Sequence, residues 1–142
     1  MYWFMSSPYS LYPDGLEAAF EVAARARGVL VQAGIKVFSP IVHCHPVARL
    51  CSLDPVDYKI WMPDNEPFMQ TAFGLIELRA ENWENSLGMR DERDWFKSNN
   101  RPLVPMTPNV LPEIFIRTGP NAQYGFISRM LLLRGIKELY GE

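Results

Sequence analysis

Ala72-Phe73-Gly74-Leu75-Ile76-Glu77-Leu78, then Trp83-Glu84-Asn85-Ser86-Leu87-Gly88-Met89-Arg90-Asp91-Glu92, then Arg93-Asp94-Trp95-Phe96-Lys97, is the stretch that decides the fold of this chain. The first run is apolar and reads as a buried strand, and the last reads as helix, so the middle is a strand-to-helix turn. Ser86 suits the N-cap, because its hydroxyl can accept from first-turn amides that have no partner inside the helix. Gly88 lets a ligand approach the backbone. Glu92 follows Ser86 by six residues, and helical side chains lean back towards the N-terminus, so its carboxylate reaches the same mouth. Because a helix start attracts anions, one turn can hold a phosphate and present a nucleophile, with the helix dipole keeping Glu92 ionised. The same residues also make an ordinary cap with acidic neighbours, and only context separates the two readings.

The rest of the chain supplies strands and helices in alternation. Tyr2 to Ser6 is a first strand, left through Ser7-Pro8-Tyr9-Ser10. From Leu16 to Ala33 the apolar Leu16, Phe20, Ala23, Ala24 and Val31 recur near helical spacing, and Gly34 ends the helix. Ile35 to Phe38 is a second strand, closed by Ser39-Pro40; strand, helix, strand in this order implies a parallel crossover. Between Ile41 and Pro63 the pattern is less regular. A short helix is expected from Pro46 to Cys51 and another from Pro55 through Trp61, with Pro63 and Pro67 leaving it little room. Leu103 to Met106 is a fourth strand, ending early or near an edge because Pro105 cannot donate to a ladder. Val110 to Ile116 is expected as a last edge strand and Gln123 to Tyr140 as a helix. That helix has a wide apolar surface suited to packing on the sheet, with a subunit interface as the alternative.

These elements predict one α/β domain, a Rossmann/flavodoxin-like parallel sheet of four to five strands with helices on both faces. Such sheets bind ligands beyond the carboxyl ends of their strands. Small polar residues gather there: Ser7 and Tyr9 after the first strand, Ser39 after the second, and Ser86 with Glu92 after the third.

With 142 residues, 48% hydrophobic and 21% charged, the chain is long enough for one real core and ordinary in composition. A net charge of −2 argues against coating a nucleic-acid polymer or a polybasic membrane surface, but not against a single nucleotide. The apolar Met1 to Met5 lacks a basic leader and is too short to span a membrane, so the chain is expected in the cytoplasm with Cys44 and Cys51 reduced. His43-Cys44-His45 with Cys51 fits no standard zinc spacing, and no metal or cofactor is expected. Cys44 is expected to pack, and Asp91 and Asp94 to be solvated. Trp61, between Ile60 and Met62, suits the core better than stacking on a base.

Taken together, Ser6 to Ser10 (Ser-Ser-Pro-Tyr-Ser), Phe38 to Ile41 (Phe-Ser-Pro-Ile) with His45-Pro46, Trp61, and Trp83 to Gly88 leading to Glu92 resemble the nucleoside 2-deoxyribosyltransferase superfamily. Within it the chain resembles especially the small bacterial and phage relatives, and it is similar to the 2′-deoxynucleoside 5′-phosphate N-hydrolases. The resemblance covers residues 1–106; residues 107–142 form an extension without a counterpart, packed on the same domain or on a second subunit. It implies chemistry at an N-glycosidic bond: the helix glutamate, here Glu92, attacks the anomeric carbon, and water or another base resolves the glycosyl-enzyme. The serine at position 86, where the transferases carry a carboxylate, and Ser7 imply a 5′-monophosphate and hydrolysis rather than transfer, with Gly88 and His45 near the ligand. The family's upstream aspartate falls on Asn65, with Asp64 beside it, so either Asp64 takes the acid role or that role is lost. The family's strand tyrosine falls near Trp3 or Phe4, leaving Tyr9 or Tyr2 to supply a hydroxyl. The expectation is therefore a nucleotide N-glycosidase acting as a homodimer or higher homo-oligomer, with a deoxyribosyltransferase or a nucleotide-binding module without turnover as alternatives. A phosphoribohydrolase of the cytokinin-activating type would carry a Pro-Gly-Gly-x-Gly-Thr motif, which this chain lacks.

Overall fold

The computed structural model describes residues 1–120 and 126–141. Four strands, β1 (Trp3–Ser6), β2 (Val37–Phe38), β3 (Leu75–Leu78) and β4 (Leu103–Met106), form a parallel sheet in the order β2-β1-β3-β4. The register runs Phe4 opposite Phe38 and Leu75, and Ile76 opposite Val104. Pro105 lies on the edge strand, as its missing donor requires. Strand alternation sends Trp3 and Met5 to one face and Phe4 to the other. The first face packs under α1 (Leu16–Gln32) and the C-terminal helices α5 (Glu113–Thr118) and α6 (Phe126–Tyr140). The second packs Phe4, Leu75 and Leu103 against Met69 of α3 (Tyr58–Thr71) and Phe96 of α4 (Leu87–Ser98). The α/β sandwich read from the sequence is thus the observed fold, with four strands.

Two glycines set the strands in place. Gly34 has a φ of +76°, which lets α1 turn directly into the buried Ile35 ahead of β2. At Gly74 a Cβ would stand 2.5 Å from the Pro102 carbonyl and 2.7 Å from the Trp3 ring, so only glycine lets β3 enter between its neighbours.

Three expected elements differ. The helix expected from Pro46 begins six residues earlier, as α2 (Pro40–Cys51), because the Ser39 hydroxyl accepts from Val42 N and Pro40 takes the first position, where its missing amide costs nothing. Pro63 and Pro67 do not cut α3 short. They lie four residues apart on its exposed side, where solvent can reach the freed carbonyls, and Thr71 Oγ1 donates to the Pro67 carbonyl at 2.8 Å. The edge strand expected at Val110 to Ile116 is instead the helix α5, whose buried Ile114 and Phe115 cap the sheet beside Leu132 and Ile136 of α6. Of the helix expected over 123–140, residues 123–125 and the side chains of Phe126 and Ile127 lie outside the described part.

Candidate functional site

The order β2-β1-β3-β4 means that the chain leaves β1 towards one edge and builds β3 and β4 towards the other, so the sheet's switch point lies between β1 and β3. A cleft of about 330 Å³ sits beyond it. Ser7 and Tyr9 enter from the end of β1, Asn65 and Trp61 from α3, and Ser86, Gly88 and Glu92 from the start of α4. Residues from three separate stretches of sequence thus meet in one place.

The α4 turn is built as its sequence requires. Trp83–Asn85 forms a single 3-10 turn, Ser86 is extended at φ −76° and ψ 112°, and its hydroxyl accepts from Met89 N at 3.3 Å. One turn on, Glu92 leans back over Gly88. A Cβ at Gly88 would meet nothing nearer than Glu92 Oε1, at 4.0 Å, which places the two residues side by side at the cleft. The other oxygen, Oε2, is shut from solvent without a hydrogen-bond partner. Burial first, and the charge of Asp91 second, push the Glu92 carboxyl up to about 8. The helix dipole expected to keep it ionised contributes about 0.3–2 kcal/mol, less than this desolvation, so burial outweighs it and favours the protonated carboxyl. The hydroxyl of buried Ser7 also lacks a partner. Two buried polar groups therefore meet the cleft unsatisfied, an arrangement that costs stability unless a ligand completes it.

Behind the cleft, Tyr9 begins a chain of polar contacts. Its hydroxyl lies 2.6 Å from His45 Nδ1, and His45 Nε2 lies 2.6 Å from Glu17 Oε2, with Arg49 on the other Glu17 oxygen at 3.1 Å. With a carboxylate on Nε2, the tautomer that donates there leaves Nδ1 to accept from the Tyr9 hydroxyl. Burial, then Cys44 and Glu17, raise Tyr9 to about 12, so it stays a hydroxyl. Glu17 is held below the usual carboxylate range, first by the His45 hydrogen bond. His45, 7% exposed and stacked on Phe20 with ring centres 4.7 Å apart, supports Tyr9 rather than lining the cleft itself. Of Tyr9 and Tyr2, Tyr9 lines the cleft, together with Tyr58 of α3. Tyr2 is tied to the Phe68 carbonyl and Thr71 on α3.

On α3, neighbouring residues part ways. Asn65 lines the cleft, its Oδ1 accepting from the buried Cys44 thiol at 3.3 Å, while Asp64 lies outside the lining with an oxygen 3.7 Å from His43 Nε2. Cys44 packs as expected, and burial pushes its thiol up to about 11. Trp61 forms cleft wall rather than core, its Nε1 donating to the Asp54 carbonyl at 2.7 Å. Among the described residues, no three His, Cys, Asp or Glu side chains converge as a metal site would. None of the described helices is long and apolar enough to cross a membrane.

Sequence reasoning missed Glu66, Glu17 and the cleft position of Asp91. Asp91 is exposed, as expected, but it and Glu66 both face the cleft. It also missed the role of Glu77. This residue is 0% exposed on β3, with Oε1 on Arg79 Nε at 3.1 Å and Oε2 on Arg93 Nε. The two guanidiniums flank the Trp83 indole, 4.7 and 5.3 Å from its centre, and so clamp the turn that carries Ser86. A glutamate inside an apolar strand was the one signal for this clamp.

No curated protein matches the chain. The family described as "Domain of unknown function (DUF1937)" matches residues 2–107, which hold all four strands, α1 to α4 and every cleft residue named above. The chain belongs to the DUF1937 family.

Proposed function

We propose that the protein is a cytoplasmic N-glycosidase that cleaves the N-glycosidic bond of a ribo- or deoxyribonucleoside 5′-monophosphate through a glycosyl-Glu92 intermediate. The observation that carries this reading is the pair of buried, unsatisfied groups, Ser7 Oγ and Glu92 Oε2, beside the Ser86 cap in one cleft at the switch point. The relation of DUF1937 to nucleoside 2-deoxyribosyltransferase-like proteins supports it. Ser7, Ser86 and the first α4 amides would hold the phosphate. Ionised Glu92 attacks C1′, the departing base takes the C–N electron pair, and water then opens the ester, returning the carboxylate. Tyr9 offers an acceptor to a sugar hydroxyl or to the attacking water. Transfer to a second base differs only in the acceptor. The reading includes a homo-oligomer, for which exposed Met130, Leu131 and Leu133 on α6 offer an apolar face.

The test is chromatography of free base after incubation with a panel of nucleoside monophosphates and their nucleosides. Base is released by wild type and not by Glu92→Gln. Equal release by both would overturn the covalent mechanism. A binding module without turnover is the second reading, favoured by Asn65 at the cleft where an acid is expected; it predicts binding heat in calorimetry and no free base from any substrate.

A further inference from the structure

Among the described cleft-lining residues are three carboxylates, Glu66, Asp91 and Glu92, and no lysine or arginine. The guanidiniums nearby in sequence are engaged elsewhere. Arg79 and Arg93 hold Glu77 and Arg49 holds Glu17, while exposed Arg90 lies 3.9 Å from Asp91. The walls are aromatic, lined by Trp61, Tyr58, Trp95 and Tyr9. Arg90 reaches Asp91 and the Arg101 guanidinium lies over the Trp95 ring at 5.0 Å, but neither lines the cleft, so carboxylates and aromatic rings outnumber cations there and favour positive charge. Asn65, which lines the cleft from α3, is an amide and cannot act as a general acid.

We propose that the leaving base is cationic, that is, that the substrate is an N-glycosyl pyridinium of the nicotinamide type rather than a neutral purine or pyrimidine. This rests on the N-glycosidase reading and specifies its substrate class. A neutral base leaves as an anion unless it receives a proton. A pyridinium nitrogen, when it takes the C–N electron pair, loses its positive charge and leaves as a neutral ring. Glu92 forms the C1′–O bond as the C1′–N bond breaks. Water then attacks C1′, its proton passes to solvent, and the carboxylate is restored, so the turnover yields free sugar, neutral base and one proton. The positive substrate also resolves the state of the nucleophile. A carboxyl raised to about 8 by burial and a neighbouring carboxylate ionises when a cation enters beside it, whereas a neutral base leaves it protonated.

The experiment compares nicotinamide riboside and its 5′-monophosphate with adenosine, deoxyadenosine, cytidine and their 5′-monophosphates, with free base quantified by chromatography. The expected result is kcat/KM about 10²-fold or more higher for the pyridinium member of each matched pair, the usual scale of acid assistance that a neutral base needs and Asn65 does not supply. In Asn65→Asp the gap narrows at least about tenfold, because the neutral substrates gain a proton donor. In the double variant Glu66→Gln, Asp91→Asn, KM rises for the pyridinium substrates more than for the neutral ones. Neutral nucleotides cleaved as fast as or faster than the pyridinium, with Glu92→Gln inactive, would overturn this inference while leaving the N-glycosidase reading standing. Free base from none of the substrates would overturn both.

Discussion

Glu77 and Glu92 are both carboxylates in the same strand–turn–helix unit, one on β3 and one on α4, yet their surroundings are opposite. Glu77 has a guanidinium on each oxygen, and those guanidiniums grip Trp83. Glu92 has an oxygen with no partner at all and a carboxyl pushed up to about 8. A buried carboxylate that is fully paired serves the scaffold, whereas a carboxyl left without a partner at the edge of a cleft costs stability and is kept for what binds there. The first holds the turn; the second uses it.

Replacing each carboxylate in turn separates these roles, and the largest effect is expected at Glu92. Glu92→Gln lowers base release by about 10³-fold or more, the scale on which losing a nucleophile acts, while the variant folds. Its stability profile tests the burial directly. In the folded protein Glu92 holds its proton more tightly than its ordinary value of 4.5, so wild type loses stability relative to Glu92→Gln as pH rises above 4.5, and the loss levels off above about 8. Denaturant titrations of both proteins at pH 4, 6 and 9 measure this; parallel curves would mean that Glu92 is not shut from water.

Glu77→Ala is expected to cost about 3–5 kcal/mol in unfolding free energy, because it strands Arg79 and Arg93 without their shared acceptor. A loss below about 1 kcal/mol would make the clamp a surface feature and erase the contrast with Glu92. Tyr9→Phe leaves His45 Nδ1 buried without its donor, which costs about 1–3 kcal/mol. If His45 acts only through Tyr9, His45→Ala adds little to the turnover defect of Tyr9→Phe in the double variant, whereas additive defects would give the histidine a separate role. Ser86→Ala is the smallest in stability, about 1 kcal/mol for a lost cap. Its sharper signature is a KM that rises more for a monophosphate than for the matching nucleoside; equal rises would reduce Ser86 to a cap alone.

The backbone of the site was legible because it rests on local rules. Apolar runs of strand length, Gly34 as a helix stop and Ser86 as a cap each act within a few residues, and each stands where the pattern put it. The strand–turn–helix unit also brought Ser86, Gly88 and Glu92 together by helical geometry alone. Where local rules misled, packing had overruled them. The prolines of α3 are tolerated because both fall on its wet side, and the apolar run at Val110 to Ile116 became helix because Ile114 and Phe115 fill the sheet face beside α6.

The amino-acid sequence by itself determined the parallel α/β fold and the Ser86–Glu92 mouth, because strand alternation, capping and helical lean are properties of neighbours along the chain. It could not determine the charge of the mouth or the partners of its side chains. Asn65 rather than Asp64 lines the cleft because of how α3 packs on α2: the Cys44 thiol reaches both side chains, and His43 lies against Asp64. His45 stands behind Tyr9 because α1 brings Glu17 to it from 28 residues away. Glu92 holds its proton because the surrounding elements exclude water without supplying a cation, and desolvation is a property of the whole assembled site.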